Sequence, residues 1–343
     1  MWKYVLKRIG LAIVTAFIIL SLTFILFKIL PFEKPIGNDD VKLGYYLNEE
    51  RLGNVISFKK EMPQLGAYLF FYSKGRTRLY FYQAPLFKQY YSWLYNFFIK
   101  GDWGVSLYLM PNVSATVIMW ERLKVSIPIN IIATLFSVPL GILLGIIAAL
   151  KKNKTTDNVI STSIMVFISV PSFVFINVLI LVLAYKLKWV PYKWPSSSES
   201  QKAKVLGYII PVLSLSFGSI CGYARFTRAE LCEVMESDYL LLARTKGLTK
   251  KQAIIRHALK NAMVPILPSI LAEFIGIFGG SMILEQLYCI PGFGGLYLDA
   301  LGRKDYNIVF ADMTIFTIIG LLAGVFLDLS YGFIDPRIRM GAK

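Results

Sequence analysis

The chain has 343 residues, of which 56% are hydrophobic and only 17% are charged. Soluble domains carry about 25% charged residues, so this composition excludes an ordinary soluble domain and favours a membrane protein. The formal net charge of +16 would suit a nucleic-acid partner, but the basic residues gather at the ends of apolar runs, where they mark membrane topology instead.

The first apolar run covers residues 9–27 and follows the basic residues Lys3, Lys7 and Arg8. A run of this length can span a bilayer, and the preceding basic residues favour a cytoplasmic N-terminus. A secretory signal has a shorter apolar core and then a small-residue cleavage site, which the following sequence does not provide. We therefore predict a retained transmembrane helix within residues 1–30.

Residues 31–112 form a polar and aromatic segment that is too long for a structureless loop. Residues 66–72 and 77–83 are rich in aromatic side chains and flank a Ser-Lys-Gly-Arg turn, which predicts a β-hairpin. Pro85 then opens a helical pattern that Gly101 ends. We predict a small mixed α/β insert on the far side of the membrane. Its aromatic residues suit the core of the insert and an interfacial belt better than a peptide-binding platform.

Residues 113–343 contain the remaining apolar runs, which predict one short helix and five further spans. The short helix is placed at 113–123 and the spans at 124–150, 158–185, 205–223, 263–287 and 308–333. Gly141 and Gly145 are four residues apart, a spacing that lets two helices pack closely in lipid. A cytoplasmic C-terminus is favoured by the basic residues after the last span, Arg337, Arg339 and Lys343. The expected fold class is an all-α membrane protein with six transmembrane helices.

The third span contains the sequence Ser-Val-Pro-Ser-Phe from residue 169. A proline at membrane depth frees a backbone carbonyl, and such breaks are tolerated where they face protein or a water-filled cavity. Ser169, Pro171 and Ser172 are therefore candidates for lining a pathway through the membrane. A simple helix kink would explain the same residues equally well.

Residues 224–262, between the fourth and fifth spans, are polar and rich in Lys and Arg, which places them on the cytoplasmic side. Gly247 can supply the positive φ that ends one helix. Thr249 and Gln252 form a capping-box sequence for the next helix, which continues as an apolar stripe at helical spacing. This pattern predicts a helix–glycine–helix elbow that could pass force from a soluble partner into the membrane.

Four motifs in this stretch carry a family resemblance: Ala-Arg-Phe-Thr-Arg from residue 224, Asp-Tyr from 238, Ala-Arg-Thr-Lys-Gly-Leu from 243 and Arg-His-Ala-Leu-Lys-Asn from 256. They resemble the coupling loop of ABC-importer permeases, and in detail that of the first permease of the dipeptide/oligopeptide subfamily. The resemblance covers nearly the whole chain, apart from about residues 31–85 and 186–204. It implies that the ATPase-coupling residues are Asp238, Tyr239, Ala243, Arg244, Lys246, Gly247, Arg256, His257 and Asn261.

The resemblance also implies the type I ABC importer permease fold and a location in the bacterial cell membrane. Such a subunit pairs with a second homologous permease, two cytoplasmic ATPases and an extracytoplasmic substrate-binding (lipo)protein. It moves oligopeptides or dipeptides, while ATP and Mg are used by the ATPase partners. The chain itself has no Gly-x4-Gly-Lys-[Ser/Thr] motif, so we expect no nucleotide or other cofactor on it and no enzymatic activity of its own.

The fifth span contains Glu273, and an acid at membrane depth is costly enough to be a functional candidate. It could attract a cationic group such as a peptide amino terminus, or it could pair with a residue of a partner subunit. At the end of this span comes Glu285, followed by the glycine-rich turn around Pro291 and Gly292, which suits a tight re-entrant turn near a gate. These three residues are further candidates for the pathway or gate.

Two alternative functions remain open on the sequence. A permease of the same family could carry nickel or a glycoside, although the single histidine, His257, lies in the predicted cytoplasmic loop rather than inside a span. An intramembrane enzyme would need a catalytic Ser/His set, paired Asp residues or a His-Glu-x-x-His motif within the spans, and the sequence has none of these. The cysteines, Cys221, Cys232 and Cys289, form neither a metal-binding spacing nor a disulfide framework.

Overall fold

The computed structural model describes residues 2–29 and 35–334 of the protein. The basic residues that predict a cytoplasmic C-terminus therefore lie outside the described residues. The chain divides into two compact units, each described separately below. The larger unit contains Leu123–Gly295 with the chain ends up to Ala12 and from Ile319, and the smaller contains Ile13–Arg122 and Leu296–Ile318.

The long helices account for most of the described chain. The helices are α1 (Trp2–Ile29), α2 (Asp39–Leu52), α3 (Leu86–Tyr95), α4 (Ala115–Leu150), α5 (Thr155–Ile168), α6 (Ser172–Leu179), α7 (Gln201–Leu206), α8 (Ile209–Met235), α9 (Asp238–Thr245), α10 (Lys250–Ala253), α11 (Leu259–Gly276), α12 (Met282–Leu287), α13 (Phe293–Gly302) and α14 (Tyr306–Ile334). Short π-helical segments extend α3, α6 and α10, namely Asn96–Lys100, Ile180–Lys186 and Ile254–Ala258. Single 3₁₀ turns cover Pro63–Leu65 and Ile277–Gly279.

Five of the described helical stretches are long and apolar enough to cross a membrane. They are Val5–Ile29, Ala115–Leu150, Gln201–Met235, Lys250–Gly279 and Tyr306–Ser330. A sixth candidate is the pair Thr155–Ile168 and Ser172–Lys186, which is bent by 100° at the break between its halves. Counting this pair as one broken span gives the six predicted spans.

Helices α4 and α8 run past two of the predicted span boundaries. Helix α4 continues through residue 124 without interruption over 36 residues, so the predicted short helix and the second span form one helix. Helix α8 continues past residue 223 to Met235 with Ala224, Thr227 and Leu231 buried on one face, so the polar stretch from residue 224 begins inside this helix. The fifth span ends earlier than predicted, since Gly280 adopts a φ of +64° between α11 and α12.

The third span is not a straight helix, and its break lies at the predicted proline. Pro171 has no backbone N–H and disfavours helical geometry in the residue before it, so α5 ends at Ile168 and α6 begins at Ser172. The predicted kink is therefore a sharp bend of 100°.

The insert contains a three-stranded antiparallel sheet in the order β1-β3-β2. Its strands are β1 (Val55–Phe58), β2 (Phe70–Lys74) and β3 (Thr77–Gln83). The predicted hairpin is confirmed, with Phe71 opposite Tyr80, but its first strand begins at Phe70 rather than at residue 66. The strand β1 was missed, because four residues give too short an alternation to recognise.

Aromatic side chains form the core of this sheet. The Tyr46 ring is 1% exposed and stacks on Phe70 and Phe81 with centroid distances of 5.0 and 5.4 Å. Burial raises the pKa of the Tyr46 hydroxyl to about 12. Aromatic residues of this region therefore build the core of the insert, as the sequence indicates.

In the larger unit, α4 and α8 approach closely at two glycines of α4. A Cβ atom added to Gly145 would lie 2.6 Å from both the Ala224 carbonyl oxygen and Thr227 Cβ. A Cβ atom on Gly141 would lie 2.7 Å from Tyr223 Cβ and 2.9 Å from the Ile220 carbonyl oxygen. Since these neighbours include backbone atoms, no side chain fits unless the helices separate. The predicted close packing is therefore present in this pair.

We expect Gly145→Ala to lower the stability of the folded protein by about 1–3 kcal/mol, because the added methyl group overlaps backbone of α8. Thermal unfolding of the purified protein in detergent measures this change. The matched control is Gly222→Ala on α8, where no atom lies within 4 Å of the added Cβ. Equal loss of stability in both variants would show that the close approach of α4 and α8 is not the cause.

Candidate functional site

The coupling segment, defined as residues 224–262, folds as the elbow that the sequence predicts. Helix α8 ends at Met235, the short helix α9 follows, and Gly247 turns the chain with a φ of +96°. The capping box is confirmed: Gln252 donates its backbone N–H to Thr249 Oγ1 at 3.3 Å, and Thr249 donates its own to Gln252 Oε1 at 3.1 Å. Local sequence chemistry is therefore sufficient to start the second arm of the elbow.

A compact apolar cluster fixes the two arms against the end of α8. Leu240 of α9 is 5% exposed and is the deepest side chain of that helix. It belongs to a cluster with Leu231 of α8 and the small residues Ala253, Ala258 and Ala262 of the second arm. Alanines at three of these positions let the arms approach without leaving space between them. The elbow is thus a packed unit rather than a flexible loop.

The outer face of the elbow is exposed and mixes apolar with basic side chains. Tyr239, Leu241 and Leu242 of α9 are 41%, 60% and 56% exposed. Among the predicted coupling residues, Ala243 is half-buried and the others are exposed. The exposed coupling residues are Asp238, Tyr239, Arg244, Lys246, Gly247, Arg256, His257 and Asn261. A short helix presenting apolar side chains within a charged rim suits insertion into a groove of a partner protein.

An ion pair between a half-buried arginine and a buried aspartate connects the base of this segment to the start of α5. Arg228 donates from Nε to Asp157 Oδ1 at 2.6 Å and from Nη2 to Oδ2 at 2.8 Å. The Asp157 side chain is 1% exposed and also accepts the Asn153 N–H at 2.9 Å and the Ser161 hydroxyl at 3.1 Å. Arg228 is the last residue of the Ala-Arg-Phe-Thr-Arg motif, but the sequence analysis did not identify Asp157. The only sequence signal for Asp157 is its position as a single acid at the start of an apolar run.

A second, exposed ion pair lies beside the first. Lys152, in the turn after α4, contacts the carboxylate of Glu236, the residue that follows α8. The hydrogen bond to Glu236 raises the pKa of the Lys152 ammonium. Both groups are open to solvent, so this pair contributes to orientation more than to stability.

The structure places the candidates at the broken span on the surface of the described chain. Ser169, Pro171 and Ser172 are all exposed. Ser169 donates its hydroxyl to the Met165 carbonyl of its own helix at 2.9 Å, which satisfies a carbonyl near the break. Among the described residues, no hydrogen bond joins these three to Glu273 or Glu285. A role in the pathway therefore remains a prediction.

Glu273 is surrounded by hydroxyl groups from two other helices. Ser219 of α8 donates a hydrogen bond to its carboxylate, and the Tyr223 hydroxyl of the same helix lies near it. Ser137 of α4 donates to Oε1 at the longer distance of 3.5 Å. Within the described ranges 2–29 and 35–334, no ion pair reaches this carboxylate. The arrangement can accept a cation, since hydroxyl donors stabilise a carboxylate without neutralising it.

Glu285 holds the glycine-rich turn together from inside. Its side chain is 3% exposed and accepts the Ser126 hydroxyl at 2.7 Å and the Gly295 N–H at 2.6 Å. Ser126 Oγ in turn accepts the Phe293 N–H at 2.7 Å. A side chain at Gly292 would overlap the Glu285 carboxylate, which explains the glycine there. Pro291 is exposed beside this buried network.

Comparisons with known proteins decide the family. The model of a family described as "Binding-protein-dependent transport system inner membrane component" matches residues 141–340. The chain belongs to this family. This family match and the apolar helices confirm the predicted fold class, an all-α type I ABC importer permease with a small sheet. The protein is a multi-pass membrane permease.

Individual relatives match this permease along its whole length. It is 30% identical to the dipeptide transport system permease protein DppB of Lactococcus lactis, over 99% of this chain and 100% of that protein. It is also 30% identical to the oligopeptide transport system permease protein OppB of Haemophilus influenzae, with 99% and 100% covered. A solved inward-facing MetNI methionine ABC transporter is 14% identical, with a TM-score of 0.49 over 64% of this chain and 97% of that chain.

We expect Arg228→Lys to destabilise the permease by about 1.5–3 kcal/mol, because Lys keeps the charge but cannot bond both carboxylate oxygens of Asp157. The control is Arg225→Lys, since Arg225 is exposed on the same helix. Thermal unfolding of the purified permease compares the melting temperatures of the Arg228→Lys and Arg225→Lys variants. A melting temperature that falls equally in both variants would rule out the bidentate pair as the cause.

Proposed function

We propose that this permease is the membrane subunit of an ATP-driven importer that moves oligopeptides or dipeptides into the cytoplasm. The observation that carries the proposal is the elbow of residues 224–262, a packed structure with an exposed apolar helix, in a family defined by binding-protein-dependent transport. The peptide cargo is inferred from the full-length similarity to DppB and OppB permeases.

The proposed complex contains four partner subunits of three kinds. A second homologous permease completes the pathway, two cytoplasmic ATPases use ATP and Mg, and an extracytoplasmic binding lipoprotein delivers the peptide. The permease lies in a bacterial cell membrane with both termini in the cytoplasm. In this orientation the insert faces the binding protein and the elbow faces the ATPases. The permease binds no nucleotide, metal or nucleic acid and has no enzymatic activity of its own.

The elbow suggests how force would reach the spans. Helix α9 would fill a groove of an ATPase with Tyr239, Leu241 and Leu242, while Leu240 anchors its other face. Because α8 is continuous for 27 residues up to Met235, a displacement of α9 would move that span as a rigid rod. The Arg228–Asp157 pair would carry the displacement to α5, whose far end is the bend at Pro171.

ATP can drive this cycle only by binding one conformation of the complex more tightly than the other. Closure of the ATPase dimer on ATP would favour the outward-facing state, which takes the peptide from the binding protein. Hydrolysis would restore the inward-facing state. The contribution of this chain is mechanical: it connects the moving surface of the ATPase to the helices around the pathway.

To test the proposal, we would replace Leu241 and Leu242 together by Asp in the complete transporter. The two charges should prevent burial of α9 in an apolar groove, and we expect at least tenfold less ATPase recovered with the permease and a similar loss of peptide uptake. Recovery of the ATPase from solubilised membranes and uptake of a labelled peptide by cells are the two measurements.

The control is Leu65→Asp in the insert, where a leucine that is 49% exposed lies on the predicted outer side. It should leave ATPase recovery unchanged. Normal recovery of the ATPase with the double variant would refute the docking role of α9. If the intact transporter carries nickel or a glycoside but no peptide, the elbow assignment stands and the cargo assignment fails.

For cargo recognition we expect Glu273→Gln to reduce uptake of peptides with a free amino terminus several-fold more than uptake of their N-acetylated forms. The amide keeps the shape and hydrogen-bonding capacity beside Ser219 and Tyr223 but removes the negative charge that would attract an ammonium group. Competitive uptake of the two peptide forms measures the ratio. An unchanged ratio with normal assembly would exclude this role, and loss of the second permease from the complex would instead indicate pairing between subunits.

A further inference from the structure

A cavity in the smaller unit has no place in the proposed transport mechanism. It has a volume of about 110 Å³ and lies among α1, α3, the residues around Trp103 and the first turns of α14. Aromatic rings dominate its lining, and they include Phe24, Trp93, Trp103 and Phe310. The rings pack on one another, with Phe24 5.1 Å from Trp93 and Trp93 5.4 Å from Phe310 between centroids.

One cation, Lys28, lines the cavity, and its charge has no direct ion pair among the described residues. Its ammonium donates to Asn54 Oδ1 at 2.8 Å and lies 5.4 Å from the centre of the Phe24 ring. The Asn54 amide donates in turn to Glu49 Oε2 at 2.8 Å, so this amide connects the ammonium to the Glu49 carboxylate. An ammonium has three N–H donors, and two of these remain available to a ligand.

Other donors line the same cavity. The indole N–H groups of Trp93 and Trp103 and the hydroxyl of Tyr306 have no hydrogen-bond partner in the part of the chain that the structure describes. The one carboxylate in the lining, Asp102, is engaged, because it contacts Arg51 and accepts the Gly104 N–H at 3.1 Å. A ligand for this cavity should therefore be rich in acceptor oxygens.

The position of the cavity along the spans indicates the source of such a ligand. Lys28 lies in the last turn of α1, at the end of the apolar stretch Val5–Ile29. Its neighbours Leu26 and Ile29 are 64% and 74% exposed, as lipid-facing residues are. Trp, Tyr and Lys at the end of a span favour the depth of lipid headgroups. The cavity thus combines a cation, free donors and rings at the level where phosphate groups lie.

We propose that this cavity binds the phosphate of a phospholipid headgroup, with Lys28 as its principal ligand and the acyl chains along the exposed apolar side of α1. The phosphate supplies acceptor oxygens for the ammonium, the indoles and the Tyr306 hydroxyl, and charge-assisted hydrogen bonds are the strongest of these. The site depends only on the membrane location of α1 and is independent of the proposed cargo.

The test measures lipid retention on the purified, delipidated transporter by native mass spectrometry. We would titrate phosphatidylglycerol and, as a lipid without phosphate, monogalactosyl diacylglycerol. Replacing Lys28 by Met should weaken retention of phosphatidylglycerol about tenfold and leave the galactolipid unchanged. The matched control is Lys100→Met, because Lys100 also lies over an aromatic ring, 5.2 Å from the centre of Tyr95, but lies outside the cavity lining.

Two further variants keep the test decisive if Lys28→Met folds poorly. Lys28→Arg retains the charge and should retain the phospholipid, while Trp103→Phe removes one donor at nearly constant volume and should weaken its retention several-fold. Unchanged phosphatidylglycerol retention in Lys28→Met, or an equal loss in Lys100→Met, would overturn the proposal. Displacement of the lipid by a free peptide at equal concentration would overturn it as well, because the site would then belong to the cargo.

Discussion

Helix packing in a bilayer proceeds without the hydrophobic effect that assembles soluble proteins, because lipid tails are as apolar as leucine side chains. Helices α4 and α8 instead associate through close van der Waals packing of their backbones. Gly141 and Gly145 remove the side chains that would separate the helices, and backbone atoms of α8 occupy that space. This contact positions α8, and α8 carries both the Arg228 guanidinium and the elbow that follows it. The geometry of the proposed coupling surface thus depends on two glycines far from it in sequence.

The second constraint is the cost of charge away from water, and the larger unit meets it with local donors. Asp157 receives both arms of a guanidinium, Glu285 receives a hydroxyl and a backbone N–H, and Glu273 receives hydroxyl groups. The three carboxylates differ in their surroundings. Asp157 forms an ion pair with a guanidinium, and Glu285 lies inside a rigid turn. Glu285 is 3% exposed, whereas Glu273 is only half-buried and has no ion pair among the described residues, so Glu273 suits a cationic cargo best of the three.

The elbow combines two properties that usually oppose each other. Its inner face is fixed by Leu240 and a layer of alanines, whereas its outer face leaves Leu241 and Leu242 in solvent. Leu241 and Leu242 are exposed apolar side chains on a helix that is already fixed. Burying them against a partner would therefore cost this helix little conformational entropy. The charged rim around them would steer such a partner and set its orientation.

Sequence alone determined the features that depend on neighbouring residues. Apolar run lengths gave the number of spans, Pro171 located the break in the third, and Thr249 with Gln252 started the second arm of the elbow. Sequence did not determine the continuity of α4 and α8, because no local signal stops a helix where an apolar run becomes polar.

Tertiary structure decided the contacts between residues distant in the chain. Asp157 and Arg228 are 71 residues apart, and Ser126 and Glu285 are 159 residues apart, so no periodicity or motif connects them. The hydrogen-bond partners of Glu285 likewise depend on the fold, because its side chain is 3% exposed at the centre of the turn, and its place at a gate stays a prediction. Backbone preferences act over a few residues, whereas the pairing of buried charges depends on which helices pack together, and only the folded chain fixes that.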